Sequence, residues 1–138
     1  GYEDALRCHG IEPLSDWIAE GATTEEGGYK AMERLFAAGE TLPEAVFFAG
    51  DYAALGAYRS LREHGLRVPD DMALRAERNA PFCELITPSF TSVEQFGYRM
   101  GSAAAQMLLD KLDGGPYMDI VIPPKLIVRE SSQRKRTE

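Results

Sequence analysis

The stretch LPEAVFFAGD, residues 42–51, decides the fold. Pro43 marks a turn, and Ala45 to Ala49 form an unbroken apolar run, the pattern of a parallel strand covered on both faces. Asp51 follows at once, and YAALGAYRSLREHG (52–65) continues with helical spacing to a stop at Gly65. LRVPDDMAL (66–74) repeats the plan with a turn around Pro69 and a second apolar run. Strand, helix and strand joined by short links predict an α/β fold: an open parallel sheet with right-handed crossovers and helices on both faces.

The same alternation extends outward. Upstream, TTEEGGYKAMERLFAAG (23–39) reads as a helix capped by Thr23 or Thr24, with acids in its first turn and a stop at Gly39. Before it, SDWIAEG (15–21) reads as a short strand whose end, at Glu20 to Ala22, turns outward, and YEDALRCHG (2–10) reads as a helix. Downstream, NAPFCELITPS (79–89) is a loop, FTSVEQ (90–95) a short strand or extended crossover, and FGYRMGSAAAQMLLDKLDGG (96–115) a helix. MDIVIPPKLIVRESS (118–132) closes with two extended pieces around Pro123 and Pro124.

Composition narrows the function classes. The chain has 138 residues, 44% apolar and 27% charged, which suits one soluble core. There are 22 acidic against 15 basic residues, a net charge of −7, so this chain is not expected to bind a nucleic-acid backbone by itself. The one basic cluster, Arg134 to Arg136, reads as a solvated tail. The first residues lack the basic and apolar regions of a secretory signal. Cys8 and Cys83 are too few for a disulfide framework and read as reduced thiols of a cytoplasmic protein. His9 and His64 each stand beside a glycine at a helix end, where they can cap carbonyls. No metal-ligand spacing, phosphate loop, nucleophile elbow or HExxH occurs, so neither an enzyme nor a cofactor is expected.

In an open parallel sheet, ligands bind beyond the carboxyl ends of the strands. Those ends fall at Glu20 to Thr24, Ala49 to Tyr52 and Ala76 to Asn79. Asp51 stands at a strand end and at a helix start, so it reads as a helix cap or as a ligand contact. The last strand is unusual: after Met72, Ala73 and Leu74 it runs into Arg75, Ala76, Glu77 and Arg78.

Several blocks, in order, carry a resemblance to a known family. GYEDALRCHGIEP (1–13), GGYKAMERL (27–35), LPEAVFFAGDYAALGAYRSLREHGLRVPDD (42–71), ITPSFTSVEQ (86–95), MGSAAAQMLLDKLDGG (100–115) and KLIVRESS (125–132) together resemble the C-terminal part of LacI/GalR transcription regulators. The resemblance implies a type I periplasmic-binding-protein-like core, mostly its C-terminal lobe. Residues 1–88 would belong to that lobe, 89–118 to the N-terminal lobe, 119–130 to strands returning to the C-terminal lobe, and 131–138 to a tail. It implies effector contacts at Thr23, Gly50, Asp51, Arg78 and Asn79, and it puts the helix AALGAYRSLREHGL (53–66) where members make homodimer contacts. That helix also reads as an ordinary cover for the sheet, and both can hold for its two faces. Tyr58 and Leu61 are the expected contacts on whichever face is not buried. The effector would be a small metabolite, sugar-like or anionic. Operator DNA would be read only by an N-terminal head. A secreted solute-binding protein is the rival, because it shares the fold.

Family members continue the last strand into a glycine, an aromatic and an aspartate that binds effector hydroxyls. Ala76, Glu77 and Arg78 stand in those places, after Arg75 in the strand. Three arrangements are open. Arg78 and Arg75 could make the pocket cationic, suiting a phosphate or carboxylate. Glu77 and the arginines could pair with one another or with Asp51 and Glu20. Or the stretch could be displaced, leaving only Met72 to Leu74 as strand.

Overall fold

The computed structural model describes residues 1–38, 42–116 and 118–134. Helix α1 is Tyr2–Cys8, α2 is Glu25–Ala37 and α3 is Asp51–Glu63, while α4 is Gly97–Leu112. Strands β1 (Ala45–Phe47), β2 (Ala73–Glu77), β3 (Thr91–Glu94) and β4 (Lys125–Ile127) form one sheet in the order β1-β2-β3-β4. The first three strands run parallel, as the alternation predicts, and β4 returns antiparallel on β3. The sheet is therefore mixed at its last strand. The two extended pieces at the chain's end reduce to β4 alone, because residues 118–124 adopt no regular strand.

SDWIAEG is not a strand. Ser15–Trp17 form a single 3-10 turn, and the rest of the stretch has no ladder partner, so β1 is the sheet edge. The helix stop at Gly39 and the basic tail beyond Arg134 lie outside the described residues.

Helices α2 and α3 begin and end as their sequences dictate. Thr24 caps α2, its hydroxyl accepting from Gly27 N at 3.1 Å. At the end of α3, Gly65 takes φ +72°, and Leu66 N donates back to Leu61 O at 2.9 Å. That closure needs the left-handed conformation glycine adopts without penalty. His9 and His64 both lie within bonding distance of a carbonyl one turn back, Ala5 O at 2.8 Å and Ser60 O at 3.0 Å.

The core lies between α2, α3 and one face of the sheet. Met32, Ala54, Ala57, Leu61, Leu74, Ala76 and Phe90 are buried there. Gly28 and Gly56 let α2 and α3 meet backbone to backbone. A methyl group on Gly28 would overlap the Ala53 carbonyl, and one on Gly56 the Glu25 carbonyl. The opposite face of β2 is half-open, with the Arg75 guanidinium 4.4 Å from the Phe47 ring centre.

The RES element near the end of the chain is a clasp. Ser131 is fully buried, donates to Leu74 O at 2.7 Å and accepts from Thr91 N at 2.9 Å, linking β2 to β3. Glu130 accepts from Ser89 N at 2.8 Å, and Arg129 donates to Phe90 O at 2.8 Å. By contrast, α1 and α4 bury no side chain, and Leu108, Leu109 and Leu112 of α4 are exposed.

Candidate functional site

The carboxyl ends of β1, β2 and β3 converge on a hydrogen-bonded shelf built around Asp51. Its N-terminal position on α3 is not a capping one: Gly50 is the cap residue, and the Asp51 carboxylate turns inward. Oδ2 accepts from Ala80 N at 2.7 Å and Oδ1 accepts from the Ser92 hydroxyl at 2.6 Å. Only 2% of the residue is exposed. A buried carboxylate is tolerable when donors satisfy it, and here two do. The helix-cap reading of Asp51 is thereby replaced. The carboxylate is a strut that fixes the loop after β2 against β3.

The strut continues outward. Ser92 Oγ also accepts from Asn79 N at 3.0 Å, and Asn79 Nδ2 donates to Glu94 at 2.9 Å. Glu94 in turn accepts from Phe96 N at 2.7 Å, at the entry to α4. The Asn79 amide and then the Phe96 N–H hold the Glu94 carboxyl below its ordinary range, so it stays ionised. Asn79 Oδ1 is buried and accepts no hydrogen bond among the described residues.

The three arrangements open for the charged stretch now separate. β2 runs through Glu77, paired with Val93 on β3, so the stretch is not displaced. Arg75 stacks on Phe47, and among the described residues Glu77 accepts from Gln95 alone, at 3.5 Å, so neither pairs with Asp51 or Glu20. Arg78 is exposed, and among the described residues its side chain has no hydrogen bond or carboxylate partner. Its backbone is fixed, N–H to Val93 O at 2.9 Å, in a φ of 101° that side chains rarely adopt. Asn79, at φ 55°, sits in the left-handed region asparagine tolerates. What remains is the arrangement with an open guanidinium at the strand end.

Thr23 is exposed on the loop before α2 and lies against Gly50: a Cβ added at Gly50 would stand 3.3 Å from the Thr23 Cβ. Thr23 and Gly50 thus meet at the β1 end, while Asp51 and Asn79 are joined through the Ser92 hydroxyl at the β2 end, with Arg78 next to Asn79 in the chain. Of the two residues expected at a partner contact, Leu61 does not reach the surface and Tyr58 is half-exposed. Leu61 is fully buried, and the Tyr58 hydroxyl donates to Thr87 O at 2.6 Å with its ring edge-on to Phe90. The helical spacing places both on one face, which is closed at Leu61 and half-open at Tyr58. Ser92 and Glu94, which complete the shelf, were not singled out from the sequence. Their only signal was position, at the end of a third parallel strand.

Taken together, these elements define an α/β fold with a shelf of polar groups at the strand ends. The periplasmic binding protein-like domain family matches residues 1–132, and the chain belongs to that family, in the form found in LacI/GalR-type regulators. It is 37% identical over 136 residues to the HTH-type transcriptional repressor PurR of Haemophilus influenzae, covering 95% of this chain and 40% of the repressor. Its structure is similar to that of the Escherichia coli transcriptional repressor ascG, with a TM-score of 0.86 and 29% identity over 94% of this chain and 47% of that one. The transcriptional regulator CelR in a cellobiose complex gives a TM-score of 0.86 and 34% identity over 95% of this chain and 40% of CelR. The chain therefore spans about 40% of the length of the curated relatives it matches. PurR and ascG are repressors, not enzymes, in agreement with a sequence that offers no catalytic constellation. No helix among the described residues is long and apolar enough to cross a membrane.

Proposed function

We propose that this chain is the effector-binding part of a cytoplasmic, DNA-binding transcription repressor that senses a small metabolite at the strand-end shelf. The observation that carries the reading is the shelf itself: Arg78 presents an open guanidinium beside Asn79, on a scaffold locked by Asp51 and Ser92. Arg78, Asn79, Thr23 and Gly50 meet the effector, and Asp51 positions them without touching it. The open guanidinium favours a phosphate or carboxylate group on the effector, bound by paired N–H donors. The sheet with its covering helices forms one lobe, and from the expected 89–118 segment α4 belongs to a second lobe that closes over the shelf, since β3 is held in the first lobe's sheet. The expected tail would begin at Ser131, but that residue is part of the clasp between β2 and β3.

The whole protein acts as a homodimer whose operator is read by a separate N-terminal head. Leu61 is buried in the core, so the dimer contact on α3 rests on the half-exposed Tyr58 and its exposed neighbours. Effector and DNA affinities are then reciprocally linked. The test is fluorescence anisotropy of the full-length protein on a duplex recovered by selection, with and without a ligand found by thermal shift. A change in DNA affinity of roughly five-fold or more supports the reading. A ligand that binds at the shelf and leaves DNA affinity unchanged contradicts it.

A further inference from the structure

Beside the shelf, and meeting it only at Thr23, lies a cavity of about 630 Å³ between α2, the outer edge of β1 and the 12–22 strap. Asp51, Arg78 and Asn79 do not line it, so the cavity is a separate feature from the proposed effector site. Its walls are Trp17 and Ile18 from the strap, Met32 and Leu35 from α2, Val46 from β1 and Phe48 just after it. This volume is in the range of sites that enclose a small organic molecule, and mostly apolar walls with a few polar groups are their usual lining.

The polar groups at the rim are specific. Arg34 makes one long bond, to Glu20 O at 3.5 Å, and has no carboxylate within ion-pair distance among the described residues. Asp16 and Glu20 also line the cavity, the Asp16 carboxylate accepting from the Ser15 hydroxyl at 3.3 Å. The strap makes no backbone hydrogen bond to the rest of the fold among the described residues, and Arg34 supplies its one polar tie. It can therefore shift over an occupant without breaking a ladder.

We propose that this cavity is a second small-molecule site for an aromatic amino acid. Its ring lies among Trp17, Met32 and Val46, its carboxylate sits on Arg34, and its ammonium faces Glu20 and Asp16. An aromatic acid leaves the Asp16 and Glu20 carboxylates unanswered, and an aromatic amine leaves Arg34 unanswered. The zwitterion answers both.

The test is isothermal titration of the full-length protein with L-tryptophan, indole-3-acetate and tryptamine, with hydrogen exchange read over residues 16–22. L-Tryptophan is expected to bind once per chain, to weaken roughly ten-fold in Arg34→Gln, the loss of one charge-assisted contact, and to be excluded by Ala31→Phe, which fills the space. Exchange in the strap is expected to slow on binding. If Ala31→Phe fails to fold, the surface change Arg34→Gln still decides. The proposal is overturned by no binding of L-tryptophan, by equal binding in Arg34→Gln, or by either indole analogue binding as tightly. It is also overturned if residues 16–22 are already protected without ligand, since the chain itself then fills the space.

Discussion

At the scale of single residues, Asp51 and Arg78 divide the work of the shelf. Replacing Asp51 by alanine strands the Ala80 N–H and the Ser92 hydroxyl in a buried site. Each lost partner costs about 1–3 kcal/mol, so Asp51→Ala should lower stability by about 3 kcal/mol in urea denaturation. Arg78 holds a φ of 101°, a conformation that costs a side chain about 1–3 kcal/mol. Arg78→Gly should therefore raise the midpoint while abolishing recognition of an anionic ligand, separating strain from binding in one variant. Cys83 is buried, and burial, with the Asp51 carboxylate beside it, pushes its thiol up to about 12. A thiol reagent should modify exposed Cys8 quickly in the native protein and Cys83 only on unfolding; fast reaction of both would contradict the buried placement. Sequence made Asp51 visible as a candidate because it ends one element and starts another. It could not show which way the carboxylate turns, because that depends on Ser92, a residue 41 positions away.

Elements show a similar division. The apolar run at 45–49 and the Gly65 stop were legible because they are local patterns, period and punctuation. The strap was not: SDWIAEG has the composition of a strand, but a strand exists only by pairing, and nothing in its own residues reports that β1 stays an edge. Likewise Tyr58 and Leu61 share a helix face that periodicity identifies without saying whether it turns in or out. The α2–α3 contact depends on two glycines, so Gly28→Ala or Gly56→Ala should cost about 2–3 kcal/mol and lower the thermal midpoint, since a methyl must displace backbone carbonyls. The turn before β2 adds a pH dependence. The Arg67 side chain, then its backbone N–H, holds the Asp71 carboxyl at about 2, below its ordinary 3.8. With the folded value depressed, this contribution is fully present above about pH 4 and is lost as pH falls toward 2. Asp71→Asn should flatten the acid limb of the stability profile.

For the whole molecule, α4 is the clearest clue to incompleteness of the core around it. Leu112 is 75% exposed and Leu108 62%, on a helix that buries nothing. An apolar stripe of that kind finds a partner, which is the ground for proposing that α4 packs in a second lobe. The 138-residue chain alone should self-associate in sedimentation, and Leu108→Lys with Leu112→Lys should return it to monomer. The hydrogen-bonded path from Asp51 through Ser92, Asn79 and Glu94 ends at Phe96, where α4 begins. It joins the shelf to the segment that must move if lobes close. The central claim is that the shelf binds an effector through Arg78. It is tested most directly by a thermal-shift screen of the full-length protein against neutral sugars, sugar phosphates and small carboxylates, repeated with Arg78→Asp. Stabilisation by the phosphate or carboxylate set, lost in the variant, is the predicted result. Stabilisation by a neutral sugar that survives Arg78→Asp would contradict it.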